Sequence, residues 1–387
     1  MLKHLAILAL ATFWLLGAVS ASASGPVGTT GNLDNATPPK HSSRSKSTIH
    51  KNGSSHHSKR HSRRAYDPWH LGSFGDPSAE DNPTGDDPVI RQAALDALGR
   101  LNGSMVVVDP NTGRILSMVN QKLALTGGFT PCSTFKPIVA LAALHEGIIT
   151  PTTKLYVGSH TRVDLTDALA RSNNVFFHKL GEMLGFRRIT EYAQEFGLGE
   201  KAGLEIPGES AGNYPSAPPK EGGVGFLAYC GTDVEVTPLQ MAAVISAIAN
   251  GGTLYALQYP RTPEEIAEFR PVVRRRLDNL AANIPQIRDG LAGSVLYGTG
   301  RSAYDPDLSI YGKTGTCSEN GARLGWFISF AGEPQSQYVV VVLLRGGRIM
   351  YGPHAAEVAG HFYRDLMQRE HPTQASRIDA YPGLSRR

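Results

Sequence analysis

The sequence predicts an α/β domain of the α+β type: a five-stranded antiparallel sheet, flanked by N- and C-terminal helices, beside an all-helical subdomain. Two strand patterns stand early in the chain, a long helical stretch follows, and three strand patterns stand near the end. Helical patterns open and close the region. Strands distributed in this way are expected to meet in one sheet assembled from both ends of the chain.

The first predicted elements are a capped helix and a hairpin. Asp87 and Pro88 precede an amphipathic segment, and an acidic cap with proline at the first helical position is typical of a helix start. Residues 104–119, SMVVVDPNTGRILSMV, place two β-branched runs on either side of a turn sequence. Residues 133–145 are then predicted to form an apolar helix.

The middle of the chain is predicted to be helical, and its end returns to strands. In TPLQMAAVISAIANGG, Thr237 is the predicted cap, Pro238 the first helical residue and Gly251 the end. The later strand patterns are SIYGKTGT, LGWFISFAG and QYVVVVLLR. Their spacing predicts an antiparallel meander, followed by the amphipathic helix HAAEVAGHFYRDLMQR.

The N-terminal composition predicts export. Residues 1–23 have a basic start, an apolar run and small residues that suit signal-peptidase cleavage, so we expect a signal peptide, with a retained membrane anchor as the alternative. Residues 24–85 are predicted to be a disordered tether rich in Ser, His, Lys and Arg. Residues 86–370 are the predicted domain, and residues 371–387 a flexible tail. The expected location is the periplasm or cell envelope.

The predicted tether is strongly basic. Between Lys40 and Arg64 there are eight Lys or Arg, five His and no acidic residue, against a net charge of +4 for the whole chain. Such a run could contact anionic envelope polymers or a membrane surface, or act only as a solvated spacer. Nucleic acid is not an expected partner of an exported chain. No cofactor or metal is predicted: a phosphate loop before Lys313 would need glycine where Asp307 stands.

Three short motifs carry the predicted chemistry: STFK at residues 133–136, SNN at residues 172–174 and KTGT at residues 313–316. Each is weak alone, but in this order they resemble the penicillin-recognising acyl-serine enzymes, whose signature is S-x-x-K, S-x-N and K-T-G. The segments VVVDPNTGRILSMV, SNNVFF, FGLGEKAGLEIPGESAG, VTPLQMA and GWFISFA extend the resemblance to the transpeptidase domain of penicillin-binding proteins.

The first motif is predicted to supply nucleophile and base. A serine hydroxyl needs a base within hydrogen-bond reach, and Lys136 lies on the same helix face as Ser133. An ordinary lysine is protonated, but burial and the neighbouring cation Lys313 would lower its pKa. The resemblance implies that Ser172 relays a proton and that Asn174 binds the substrate's peptide group.

The resemblance also implies how the substrate is bound. Lys313 and its strand would hold the terminal carboxylate of a D-alanyl-D-alanine stem peptide, or of a β-lactam that mimics it. The implied substrate-binding residues on this strand are Thr314, Gly315 and Thr316. The implied oxyanion hole consists of the backbone N–H groups of Ser133 and Thr316. An extended peptide can pair with such an edge strand through its main chain.

The three cysteines depart from the family pattern. Cys132 stands where the family usually has glycine, Cys317 directly follows KTGT, and Cys230 falls where the family usually reads Gly-Gln-Gly. Three cysteines allow one disulfide in any of three pairings, or they could be three buried thiols. Cys132 as the nucleophile would need a partnering histidine, and none stands in a recognisable context.

The predicted function is a D,D-transpeptidase, or its carboxypeptidase variant, with an acyl-serine intermediate that β-lactams would trap. A serine β-lactamase is one alternative, because ESAGN at residues 209–213 has the E-x-x-x-N spacing of one lactamase class, although EIPGESAG matches the transpeptidases better. A catalytically impaired sensor of cell wall or β-lactam is the other alternative, suggested by the substituted cysteines and the basic tether.

Overall fold

The computed structural model describes residues 69–332 and 337–370, and its central element there is a five-stranded antiparallel sheet, as predicted. The described strands are, in chain order, β1 Gly103–Val108, β2 Ile115–Val119, β3 Leu155–Tyr156, β4 Arg162–Val163, β5 Thr253–Ala256, β6 Val272–Arg276, β7 Ile310–Glu319, β8 Ala322–Ala331 and β9 Tyr338–Gly346. The main sheet has the order β2-β1-β9-β8-β7. β3 with β4, and β5 with β6, form two small antiparallel hairpins.

Helices surround this sheet. The described α-helices are, in chain order, α1 Pro88–Leu98, α2 Gln121–Leu125, α3 Lys136–His145, α4 Leu165–Ala170, α5 Asn174–Glu195, α6 Gly223–Cys230, α7 Pro238–Ala249, α8 Pro263–Glu268, α9 Ile284–Leu296 and α10 Gly352–Glu370. Short 3-10 turns are Cys132–Phe135, Asp278–Leu280 and Arg301–Ala303. The predicted caps are present: the Asp87 side chain accepts from the N–H of Val89 and Ile90.

Both ends of the described chain meet in the sheet. The early strand β1 pairs with the late strand β9, with Val106 opposite Val341. Strand β7, which contains KTGT, pairs with β8 on one side only, so its other side is a sheet edge. The prediction of one antiparallel sheet built from the two ends is therefore confirmed.

The two faces of the sheet have separate hydrophobic cores. Along β1, Met105 and Val107 pack with α1 and α10, whereas Val106 and Val108 belong to the core that contains α3 and α7. This alternation follows from the two-residue period of a strand. A sheet that is buried on both faces explains why β8 and β9 are almost continuously apolar.

The helix predicted at residues 133–145 begins later than expected. Residues Cys132–Phe135 form a 3-10 turn, and the α-helix starts at Lys136. From Lys136 to Leu144 every residue of α3 is buried. A helix that is apolar on all sides belongs in the middle of a core, and α3 occupies that place.

The domain also begins earlier than the boundary predicted at residue 86. Phe74 forms an isolated bridge with Leu101. The Asp81 carboxylate accepts from the backbone N–H of Asn120 and Gln121 and pairs with Arg91 at 3.0 Å. Composition alone misplaced this boundary, because residues 69–85 attach through polar and backbone contacts rather than an apolar face.

The other predicted termini lie outside the described residues: the signal peptide, residues 24–68 of the tether, and the tail at residues 371–387. Among the helices of residues 69–332 and 337–370, none combines the length and apolar character needed to span a bilayer. The same ranges contain no cluster of three or more His, Cys, Asp or Glu side chains suited to hold a metal ion.

Candidate active site

The 3-10 turn before α3 positions Ser133 and Lys136. In such a turn, side chains three residues apart are eclipsed, so the two residues share a face although the α-helix has not yet begun. The backbone N–H of Lys136 donates to the carbonyl of Ser133, which closes the turn. Ser133 is half-buried, whereas Lys136 is fully buried.

The Lys136 amine joins the first motif to the second. Its Nζ donates to the carbonyl oxygen of Ser172 at 2.8 Å, to Ser172 Oγ at 3.0 Å and to Asn174 Oδ1 at 2.6 Å. The Phe177 ring centroid lies 5.4 Å from the same nitrogen. Both residues of the second motif that were predicted to act with Lys136 therefore contact it directly.

Burial changes the protonation of Lys136. Loss of water around the amine lowers its pKa from 10.5 to about 7, and the nearby Cys230 thiol opposes this shift only partly. In the described part of the chain, no carboxylate forms an ion pair with this lysine. At neutral pH a large fraction of Lys136 is thus an unprotonated amine, the form that can accept a proton.

Lys313 is a second buried lysine in the same site. Its Nζ donates to the carbonyl oxygen of Thr314 at 3.0 Å. Burial, and secondarily the charge of Lys136, holds the pKa of Lys313 well below its ordinary value. The predicted mutual influence of the two lysines thus acts on Lys313, and burial is the larger cause for each.

The second motif lies at the N-terminus of α5. Asn173 is the helix cap, and its side chain accepts from the N–H of Phe176 at 2.9 Å. Ser172, just before the cap, has a left-handed φ of 56°, which is uncommon for a non-glycine residue. Asn174 is exposed. This turn presents both side chains of the motif to the Lys136 amine.

The third motif lies on the edge strand β7. Thr314 Oγ1 is 2.5 Å from Thr299 Oγ1, and Thr316 Oγ1 accepts from the N–H of Gly352 at 2.8 Å. A Cβ on Gly315 would lie 3.1 Å from the carbonyl oxygen of Pro131, so glycine relieves a tight contact where β7 approaches the 3-10 turn. Sequence reasoning missed Thr299, which stands between two glycines with no other signal.

Two of the three cysteines form a disulfide. Cys132 is bonded to Cys317, with their Cα atoms 5.7 Å apart. Cys230 is a free, half-buried thiol, so of the three pairings that the sequence left open the structure has the one without Cys230. The pairing follows from strand β7 packing against the turn that contains Ser133, a proximity that sequence spacing could not establish.

The Cys132 backbone has a conformation that favours glycine. Its φ is 52°, in the left-handed region, which costs a non-glycine residue about 1 to 3 kcal/mol. Glycine adopts this conformation freely. This chain therefore has a strained residue directly before Ser133, and the surrounding structure holds it in place.

The segment before Ser133 is also attached to the sheet by hydrogen bonds that the sequence did not predict. Thr130 N and Oγ1 donate to Glu319 Oε2 at 2.9 and 2.8 Å. Trp326 Nε1 donates to the carbonyl oxygen of Thr130 at 3.0 Å. These contacts join β7 and β8 to the chain three residues before Ser133.

The site therefore combines buried and exposed groups. The two lysines are fully buried, Ser133 is half-buried, and Asn174 and Thr316 are exposed. The three motifs meet here, although about 140 residues separate the second from the third along the chain.

Residues 103–368 match a family described as the penicillin binding protein transpeptidase domain. This range contains all three motifs and the five strands of the main sheet.

Several named relatives are similar to this chain. Stage V sporulation protein D of Bacillus subtilis is 30% identical over 65% of this chain and 44% of the relative. Peptidoglycan D,D-transpeptidase MrdA of Acinetobacter baumannii is 24% identical over 76% of this chain and 55% of the relative. Penicillin-binding protein PbpB of Mycolicibacterium smegmatis is 28% identical over 65% of this chain and 47% of the relative. The chain thus spans about half the length of these relatives.

Solved structures share the fold. The apo transpeptidase domain of Burkholderia pseudomallei penicillin-binding protein 3 covers 75% of this chain, with 97% of its own length matched, a TM-score of 0.64 and 22% identity. A D,D-transpeptidase domain from Eggerthella lenta covers 73% of this chain, with 82% of its own length matched, a TM-score of 0.61 and 22% identity. The mixed α/β architecture is therefore that of these transpeptidase domains.

Proposed function

The chain belongs to the penicillin-binding protein transpeptidase family, and from that premise we propose that it is a D,D-transpeptidase, or its carboxypeptidase variant. Its substrates are peptidoglycan stem peptides, and its intermediate is an ester of Ser133. The observation that carries this proposal is the buried Lys136 amine, hydrogen-bonded to Ser172 and Asn174 and with a pKa of about 7.

Acylation begins with the hydroxyl of Ser133. The unprotonated Lys136 amine accepts the hydroxyl proton while Oγ attacks the carbonyl carbon between the two D-alanines. In the substrate-free protein, Nζ lies within hydrogen-bond distance of the Ser172 carbonyl oxygen, Ser172 Oγ and Asn174 Oδ1, and the unprotonated amine can donate to two of these. In this proposal the lysine side chain turns toward Ser133, a residue three positions earlier on the same face of the chain.

The tetrahedral intermediate carries its negative charge on the former carbonyl oxygen. The proposed donors are the backbone N–H groups of Ser133 and Thr316. The tight packing of Gly315 against Pro131, and the 5.7 Å between the Cα atoms of Cys132 and Cys317, support the closeness of these two segments.

Expulsion of D-alanine needs a proton on its nitrogen. Ser172 Oγ relays that proton from the lysine to the leaving amine in this proposal, and its distance of 3.0 Å from Lys136 Nζ supports the role. The acyl-enzyme is then released by an amine, which gives a cross-link, or by water, which gives a trimmed peptide. Both acceptors require the same base.

The substrate lies along β7 in this proposal. An edge strand offers unpaired backbone groups to an extended peptide, so the stem peptide pairs as an additional strand. Lys313, with Thr314 and Thr316, holds the terminal carboxylate. A β-lactam presents a carboxylate and a strained amide in the same arrangement, so it acylates Ser133 and blocks the site.

The location proposed for this chemistry is the cell envelope, reached by export. The basic segment from Lys40 to Arg64 then serves as a spacer or as a contact to anionic envelope polymers. A disulfide between Cys132 and Cys317 supports an oxidising compartment, where such bonds persist.

The geometry around Glu209 speaks against the β-lactamase alternative. Its buried carboxylate accepts from the backbone N–H of Ala202 at 2.5 Å and of Gly203 at 3.0 Å. Asn213, the other residue of the E-x-x-x-N pattern, pairs through its backbone with Glu235. Both residues maintain local loops, so neither is placed to activate a hydrolytic water.

The test uses the full chain with a fluorescent penicillin and a chromogenic cephalosporin, with and without reductant. We expect one stable label per molecule, no label on Ser133→Ala, and much slower labelling of Ser172→Ala. Ser318→Ala is the matched control, since it stands in a chance S-x-N pattern on β7 and is exposed; its labelling should be normal.

Release of D-alanine from a D-alanyl-D-alanine peptide, with and without an added amine, then separates transpeptidase from carboxypeptidase. Many cephalosporin turnovers per molecule would instead identify a β-lactamase. No label under either redox condition would reject both enzymes and leave the sensor.

A further inference from the structure

The disulfide lies between the two halves of the proposed oxyanion hole. Cys132 directly precedes Ser133, and Cys317 directly follows Thr316, so the bond links the neighbours of both proposed donors. The Cα atoms are 5.7 Å apart across a sequence separation of 185 residues. Among the described contacts, this is the covalent link between the Ser133 turn and strand β7.

Noncovalent contacts also attach this turn to the sheet. The hydrogen bonds to Glu319 and Trp326 both involve Thr130, three residues before the serine. Thr134 Oγ1 donates to the carbonyl of Pro131, and Thr134 packs against β7 through its methyl group, which would lie 3.1 Å from a Cβ on Gly315. The disulfide is the covalent constraint on the Ser133 N–H, one residue away.

The Cys132 backbone has a strained conformation that the disulfide can maintain. Its φ of 52° is a conformation that cysteine leaves readily and that glycine keeps without strain. A change of φ at Cys132 toward negative values would alter the path of the chain that leads into Ser133. That would redirect the N–H of Ser133 away from the oxygen it is proposed to stabilise.

We propose that the Cys132–Cys317 disulfide is a positioning device for acyl transfer, holding the backbone N–H groups of Ser133 and Thr316 at one oxygen. This inference rests on the proposed function. The oxidised protein is the active form, and loss of the bond slows acylation. The bond holds Cys132 at the positive φ that glycine would adopt at this position without strain.

The redox step is a thiol–disulfide exchange. When the bond forms, the thiols of Cys132 and Cys317 give up two electrons and two protons to a small disulfide oxidant. The S–S bond of the oxidant breaks, and the oxidant is released as a dithiol. In reduction, a thiolate of a small dithiol reductant attacks the half-buried Cys317 sulfur, because the Cys132 side chain is fully buried. Cys132 leaves as the thiolate, and the second thiol of the reductant then releases Cys317.

The experiment measures acylation of Cys230→Ser by a fluorescent penicillin, so that one disulfide is the only cysteine pair present. This variant, whose own rate is the reference, is compared in its oxidised form and after dithiothreitol. Two further variants in the same background are Cys317→Ala alone and Cys132→Gly with Cys317→Ala. Circular dichroism and thermal melting, recorded beside each rate, identify the temperature at which every form is folded.

We expect dithiothreitol, or Cys317→Ala, to lower the limiting acylation rate about 10- to 100-fold, with initial penicillin binding little changed, because an oxyanion donor acts in the transition state. The added Cys132→Gly should recover most of that rate, since glycine keeps a positive φ without the bond. A role in stability alone would lower the melting temperature of both variants without this difference in rate.

Three outcomes decide the matter. An unchanged rate in folded, fully reduced protein would overturn the inference, as would an increased rate, which would make the disulfide a block. A glycine variant as slow as Cys317→Ala would also contradict it. If the oxidised reference takes no label on Ser133, the proposed function itself fails. This result differs from failure of the disulfide inference alone, in which the oxidised reference is labelled on Ser133.

Discussion

The two faces of the central sheet follow different physical rules. On the face covered by α1 and α10, the core is apolar, and its buried Ser329 and Tyr363 hydroxyls are 3.1 Å apart in a shared hydrogen bond. The opposite face, covered by α3 and α7, contains the fully buried Lys136, and the fully buried Lys313 lies on β7 in the same site. The first face contains an ordinary apolar core, whereas the second contains buried lysine amines, which are unfavourable in an apolar core.

The energetically unfavourable features of the structure indicate where its functional residues lie. Burial of a lysine without a carboxylate partner is unfavourable for its charged form, and left-handed φ values at Cys132 and Ser172 add backbone strain. All four features stand in the three motifs or next to them. Such features persist where a perturbed base and a fixed geometry are needed. The contrast between the faces can be tested by substitutions on each side.

The largest expected effect is on activity, from Lys136→Met. Removal of the proposed base should lower the acylation rate by about 1,000-fold or more, because proton transfer and serine activation are both lost. Stability should stay equal or rise, since an apolar side chain of similar length replaces a buried amine. Penicillin labelling and urea unfolding measure the two quantities.

Lys154→Met, at an exposed position, is the matched control and should leave both quantities unchanged. A Lys136→Met protein that acylates at a normal rate would show that Lys136 is not the base. One that unfolds readily would show that the buried amine is structural.

The next effect is on stability, from Phe362→Ala on α10. This fully buried ring lies in the α1 and α10 core, and its loss should lower the free energy of unfolding by about 3 to 5 kcal/mol. The acylation rate per folded molecule should be nearly normal, because the ring lies on the opposite face from Lys136. Phe74→Ala, an exposed ring, should cost far less. Equal loss of rate and stability would contradict the separation of the two faces.

The smallest effect concerns pH. Because burial lowers the pKa of Lys136 to about 7, acylation should rise about tenfold per pH unit below that value and level off above it. The Cys230 thiol opposes the lowering of the Lys136 pKa, and the charge of Lys136 in turn helps to lower the pKa of the buried Lys313. A rate profile from pH 5 to 9 measures the midpoint, and a plateau reached only above pH 9 would reject the lowered pKa.

Stability should follow the same titration with a defined sign. The folded protein binds fewer protons than the unfolded chain between pH 7 and 10.5, since the unfolded lysine keeps its ordinary pKa. The free energy of unfolding should therefore rise with pH across this window. Below pH 7 the lysine is protonated in both states, so its titration adds no pH dependence there. In Lys136→Met this rise should be smaller, as urea unfolding at pH 6 and 9 would show.

The sequence predicted the sheet and the motifs because both have local signatures. The strand patterns around β1 and β7 to β9 are β-branched or alternating, and turn residues separate them. The STFK, SNN and KTGT motifs are short and ordered, so they could be recognised before any distance was known. The pairing of the early and late strands followed from their position in the chain.

Other features depend on distances between residues far apart in sequence, and no local pattern encodes them. The Cys132–Cys317 bond is one example, and the contact of Thr130 with Glu319 is another. The domain boundary was misplaced for a related reason, since Asp81 is held by the backbone of Asn120 and Gln121 rather than by an apolar pattern. Local sequence predicts elements, but these contacts arise only when the elements pack.

The central claim is that Ser133 is the residue acylated. The most direct measurement treats the full, oxidised chain with a penicillin, then reduces, digests and maps the adduct by mass spectrometry. We expect one penicillin per molecule, on the peptide that spans Ser133, and no adduct in Lys136→Met under the same conditions. An adduct on another serine or on Cys230, or a Ser133 adduct formed equally fast without Lys136, would contradict it.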